Sequence, residues 1–105
     1  MLRITVYNED TLTRLIIEGK LVGDWVRELE RCWLKAAAVQ PPQRIRIEFT
    51  DVSFIDSAGR ELLEKMALKG AELIAVDVLM KAIVEDVLDG IYRNGHSRRG
   101  RREPE

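Results

Sequence analysis

Apolar and polar residues alternate at the start of the chain. Leu2, Ile4 and Val6 interleave with Arg3, Thr5 and Tyr7, the period of a strand whose successive side chains face opposite ways. The polar Asn8-Glu9-Asp10 predicts a turn into a second strand near Thr11 to Glu18, and so short a link implies an antiparallel hairpin. Between Val22 and Ala38 the period lengthens: Val22, Trp25, Val26, Leu29, Trp33 and Ala36 fall at helical spacing, with Arg27, Glu28, Glu30, Arg31 and Lys35 between them. This first helix is expected to take Asp24 as its cap and to turn Trp25 and Trp33 into the core from one face. Pro41-Pro42 stops it, and Arg44-Ile45-Arg46-Ile47-Glu48-Phe49 returns to period two.

The strand pattern runs on toward Ile55 and gives way to a helix from about Ser57 to Lys69. In it Leu62, Leu63, Met66 and Ala67 are apolar, and Gly70 holds the position just past the end. Ala71 to Val76 reads as a fourth strand. Met80 to Leu88 reads as a third helix, with Met80, Ile83, Val84, Val87 and Leu88 on one side and Gly90 as its stop. From Tyr92 onward apolar periodicity is lost, which predicts a disordered tail. The expected organisation is one domain over residues 1–90 and a basic tail over 91–105.

Strands joined through helices run parallel, and the right hand of such crossovers places the helices linking sequentially laid strands on one face. The expected fold class is therefore α/β: a mixed four-stranded sheet with an N-terminal antiparallel hairpin, the remaining strands parallel, and helices mainly on one face. The third strand agrees. Ile45, Ile47 and Phe49 point one way and Arg44, Arg46 and Glu48 the other, whereas a doubly wound sheet would need that strand apolar on both sides.

Composition narrows the function classes. At 105 residues the chain is one domain with a modest core. Its 17 Lys and Arg nearly balance 18 Asp and Glu, but residues 1–88 are mildly acidic and the rest basic, which argues against a nucleic-acid face on the domain itself. Cys32 is the single cysteine, so no internal disulfide can form and a reducing, cytoplasmic setting is expected. No stretch approaches the about 18 apolar residues of a membrane span, and the first residues lack the apolar run of a signal peptide. Neither a glycine-rich phosphate loop nor a cluster of metal-ligand spacing is present, and the only adjacent Ser and His are His96-Ser97 in the tail. No catalysis, cofactor or metal is expected. Arg98, Arg99, Arg101 and Arg102 lack interleaved aromatics and read as a solvated run.

The chemistry concentrates at Phe49-Thr50-Asp51-Val52-Ser53-Phe54-Ile55-Asp56-Ser57-Ala58-Gly59, where a strand meets a helix start just past the strand's carboxyl end. The first N–H groups of a helix have no partner within it and carry partial positive charge, so a phosphoryl group on Ser57 would be welcome there. The plainer alternative is that Ser57 or Asp56 merely caps the helix.

This run resembles the signature of the STAS family, the domain shared by sulphate transporters and bacterial anti-sigma factor antagonists. The likeness covers about residues 2–90 in element order; its sequence-specific part is Ile47 to Gly59, supported by Gly70-Ala71-Glu72-Leu73. In antagonist members the serine after the aspartate is phosphorylated by an anti-sigma factor that is also a serine kinase, and the matching position is Ser57. The resemblance implies a protein-binding module of bacterial transcriptional signalling whose unmodified form holds the anti-sigma factor and whose phosphorylated form releases it. Val52, Phe54, Asp56, Ala58, Gly59, Arg60 and Leu63 are expected to line the docking surface. Some small stand-alone members serve transporters, so docking on an ABC-type transporter ATPase is an alternative, as is an interaction domain with Ser57 only a cap. The chain departs from the family pattern twice. Arg60 replaces a commonly apolar residue after the motif glycine and lies on the same side of the helix as Ser57, where it would pair with a phosphate, meet an acidic partner or be solvated. After Gly19-Lys20-Leu21-Val22, the acidic Asp24 comes two positions late, which implies a different partner if that loop is contacted.

Overall fold

The computed structural model describes residues 1–93. Strand β1 (Leu2–Asn8) turns through Glu9, whose N–H donates to the Leu12 carbonyl at 2.8 Å, into β2 (Leu12–Leu21), and the two pair antiparallel from Leu2↔Gly19 to Asn8↔Thr13. Helix α1 (Asp24–Ala37) carries the chain to β3 (Arg44–Ile55), parallel to β2. Helix α2 (Ser57–Leu68) leads to β4 (Glu72–Ala75), parallel to β3, and α3 (Val78–Ile91) follows. The sheet order is β1-β2-β3-β4, the mixed α/β architecture that the hydropathy pattern predicts.

One core lies between the sheet and the helices. Leu15 and Ile17 of β2, Ile47 and Phe49 of β3 and Leu73 of β4 meet Leu29 and Trp33 of α1, Leu62, Leu63 and Met66 of α2, and Met80, Val84 and Val87 of α3. The other face of the sheet is covered by its own ion pairs. Arg14 donates from Nε and Nη2 to the two oxygens of Glu48 at 2.8 and 2.9 Å and lies over the Tyr7 ring, while Arg44 and Arg46 share Glu72. The Arg14 hydrogen bonds hold the Glu48 carboxyl below the usual carboxylate range, as Arg44 and then Arg46 do for Glu72. The face expected to be less covered is thus polar.

Several expectations change in detail. Asp24 is the first residue of α1 and pairs with Arg27 at 2.6 Å, while Gly23, at φ 57°, is the N-cap and supplies no side-chain bond. Trp33 is buried with Val26 and Leu29, but Trp25, about 80° from Trp33 around the helix, lies at the edge of that stripe and is 39% exposed. Helix α3 starts earlier, because the Asp77 carboxylate accepts from the Met80 N–H at 2.8 Å, and it runs through Gly90 to Ile91 rather than stopping there. The disordered reading of the tail falls, from residue 94 onward, outside the described residues. No helix among the described residues is long and apolar enough to cross a membrane.

The largest correction concerns Val52 and Leu63, which are core residues at 3% and 0% exposure and cannot line a docking surface; Gly59 is buried as well. For Val52 the reason is backbone register. Unbroken alternation from the inward Phe49 would turn Val52 outward, but the β2–β3 pairing shifts by one residue between Ile17 and Glu18 and again between Gly19 and Lys20. The inward positions become Phe49, Val52 and Ile55, and Phe54 is left 55% exposed. Leu63 lies one helical turn beyond Gly59, on the face turned to the sheet.

Leu63→Ala is therefore expected to lose about 2–5 kcal/mol of stability by leaving a cavity, and Phe54→Ala less than about 0.5 kcal/mol. Urea unfolding of the two variants against wild type checks both values.

Candidate functional site

The ends of β2 and β3 and the starts of α1 and α2 meet at Asp56. Its backbone is extended (φ −94°, ψ −178°), which aims the side chain back across the helix entrance. Oδ1 accepts from the Gly59 N–H at 2.8 Å, closing the first turn of α2. Oδ2 accepts from the Gly23 N–H at 3.0 Å, at the start of α1. The Asp56 N–H donates to the Leu21 carbonyl at 3.3 Å and its carbonyl accepts from the Arg60 N–H at 3.0 Å. The two backbone donors, Gly23 first and Gly59 second, stabilise the ionised form and hold the Asp56 carboxyl below its ordinary value.

Both glycines are demanded by this geometry. Gly23 sits at positive φ. At Gly59 a Cβ would lie 2.7 Å from Ile55 Cγ1 and 2.9 Å from the Leu21 carbonyl oxygen, so α2 packs against the strand ends as closely as it does only because no side chain intervenes.

Because Asp56 caps the helix, Ser57 does not. It is the first residue of α2, exposed, and no side-chain hydrogen bond to its hydroxyl is found among the described residues. Ala58 beside it is exposed, and Phe54 projects from the last stretch of β3. Arg60, one turn along α2, is ion-paired through Nη2 with Asp86 Oδ2 of α3. Ser57, Arg60, Glu61, Glu64 and Asp86 line a cleft of about 340 Å³ between the two helices, floored near Val87. The structure thus brings together Phe54, Asp56, Ser57, Ala58 and Arg60 of the expected set around one rim, with Gly59 beneath. Sequence reading missed Asp86 and Gly23. Neither carries a local signal, since each reaches the site from another element.

Cys32 is half-buried in α1, burial pushes its thiol up, and it stays protonated at neutral pH. Among the described residues no cluster of His, Cys, Asp and Glu is arranged to hold a metal. A hollow of about 380 Å³ at the other end of the sheet is lined by Trp33, Leu34, Gln43, Arg44 and Lys69.

A four-stranded mixed sheet with three helices and a capped strand-to-helix rim defines the class as α/β. The family model of the STAS domain matches residues 3–99, and the chain belongs to that family. Among solved structures, an anti-sigma factor antagonist from Mycobacterium paratuberculosis superposes with a TM-score of 0.70 at 18% identity, covering 89% of this chain and 81% of that one. A protein of the DUF3478 family with a SpoIIAA-like fold from Shewanella loihica PV-4 superposes at 0.53 with 19% identity, covering 75% and 71%. At such identities the likeness is one of fold. No curated protein matches the chain.

Asp56→Ala is expected to lower the Tm by roughly 5 °C at pH 7, since it releases both helix starts. The folded carboxyl titrates below its unfolded value of about 3.9, so this stabilisation is in full force above that value and vanishes as pH falls through the folded one. Melting curves of wild type and variant at pH 7, 5 and 3 should therefore converge toward the acid end.

Proposed function

We propose that this protein is a non-catalytic, cytoplasmic regulatory module of the anti-sigma factor antagonist type, docking on its partner through the rim of Phe54, Asp56, Ser57, Ala58 and Arg60 and switched by phosphorylation of Ser57. The observation that carries the reading is the division of labour at the helix start: Asp56 provides the cap, and the exposed Ser57 hydroxyl is left unused by the fold. The family of the chain and the named activity of the Mycobacterium paratuberculosis protein give the reading its direction.

The partner is an anti-sigma factor with serine kinase activity that holds a nucleoside triphosphate. The Ser57 oxygen attacks the γ-phosphorus, the new O–P bond forms as the β–γ bridge breaks, the nucleoside diphosphate leaves, and the hydroxyl proton passes to a base of the kinase. The product adds about −1.5 to −2 charges at neutral pH. Within the domain the free N–H groups of α2 tolerate that charge. At a docked interface the same charge loses its water, and an uncompensated penalty of about 3 kcal/mol already exceeds a hundredfold in affinity.

Isothermal titration of a candidate anti-sigma factor should find Ser57→Ala within a few-fold of wild type and Ser57→Asp at least about 100-fold weaker. Equal binding by Ser57→Asp would falsify the switch, and tight binding to a transporter ATPase with no response to either substitution would place the protein in transport instead.

A further inference from the structure

The cleft beside Ser57 holds an uneven set of charges. Glu61 and Glu64 of α2 and Asp86 of α3 line it, and Arg60 is the one cation among the lining residues. With Ser57 unmodified, Arg60 is committed to Asp86 and ties α2 to α3. Residues three apart on a helix have Cβ atoms about 5–6 Å from each other, so the same guanidinium reaches a group on Ser57 by changing rotamer alone.

Resting on the reading of Ser57 as the modified residue, we infer that Arg60 is a relay: phosphorylation draws it from Asp86 to the phosphate, opening the α2–α3 link. Charge decides the direction. A phosphoserine offers nearly two negative charges and three acceptor oxygens, which the planar guanidinium can meet with two parallel hydrogen bonds, against one charge on Asp86. Among the described lining residues Arg60 is the one positive charge a phosphate can meet; the other charged ones, Glu61, Glu64 and Asp86, are carboxylates. The modification then has two effects at once: it places a dianion on the docking rim, and it frees the Asp86 carboxylate on the adjoining face of α3. Arg60 is a positioning residue in this scheme, since it neither gives nor receives the phosphoryl group.

The test is the titration of the phosphate itself. Phosphoserine is installed at position 57 during synthesis, so the result does not depend on whether any kinase recognises the site, and failure of the relay is separable from failure of the proposed function. The second ionisation is then followed by phosphorus NMR in the parent, in Arg60→Gln, in Asp86→Asn and in the double variant. Loss of Arg60 should raise it by at least about half a unit from the parent, and Asp86→Asn should lower it more when Arg60 is present than when it is absent. A smaller rise in Arg60→Gln, or equal effects of Asp86→Asn in the two backgrounds, overturns the relay. A purely structural role for the ion pair would move the melting temperature of both single variants alike and leave the phosphate titration uncoupled.

Discussion

One carboxylate, that of Asp56, accepts hydrogen bonds from backbone donors at the starts of two helices, and the layout of the functional end depends on it. Neighbouring parallel strands deliver α1 and α2 with their electropositive ends toward the same place. Two such ends repel unless an anion stands between them. Asp56 is that anion, and its lowered pKa is the same fact seen from the carboxylate's side. The arrangement also needs the backbones to approach closely, which the positive φ of Gly23 and the missing side chain of Gly59 allow. Ser57 is exposed and uncommitted because the residue before it has taken on the capping task.

The opposite face of the sheet follows a different logic. Among the described residues no helix lies on it, yet it presents paired charge: the two-pronged Arg14–Glu48 contact, the Arg44–Glu72–Arg46 bridge and the Tyr7 ring beneath Arg14. Surface pairs of this kind are worth little individually, about 0–1 kcal/mol. What they achieve is to keep an uncovered sheet face from presenting an apolar stripe, which would invite association. Since those groups are engaged with one another, chemistry that needs uncommitted groups is left to the rim where strands end and helices begin.

Much of this was legible in the residues because it is local. Period-two and helical spacings located every element, and the alternation of Ile45, Ile47 and Phe49 with Arg44, Arg46 and Glu48 forecast a sheet covered on one side. What was not legible is what two separate segments decide together. The one-residue shifts that turn Val52 inward belong to the pairing of β2 with β3, and strand alternation alone points that side chain the wrong way. Asp56 caps α2 through the local Gly59 N–H, but its second bond, to the Gly23 N–H 33 positions earlier in the chain, left no local trace. Arg60 was visible as a departure from the family pattern, but its partner Asp86 comes from another helix and left no trace in the spacing. The ends of the third helix were a local error of a simpler sort: Gly90 reads as a stop, yet a glycine inside a helix costs only about 1 kcal/mol, and continuing through it packs Ile91 against the core.

Magnitudes also indicate how a modification at Ser57 would act. Exchanging one exposed ion pair for another changes stability by no more than about 1 kcal/mol, and a charge at the opening of a helix is favourable by a similar amount. Neither is enough to unfold or refold a domain whose core runs through all three helices and the sheet. Withdrawing a phosphate from water into a protein interface, by contrast, carries a penalty of several kcal/mol. The sensitive quantity is therefore the affinity of the rim for whatever covers it, with the fold almost indifferent. A scaffold held rigid by Asp56 beneath an uncommitted hydroxyl meets that requirement, because the group that must change state is not one of the groups that hold the structure together.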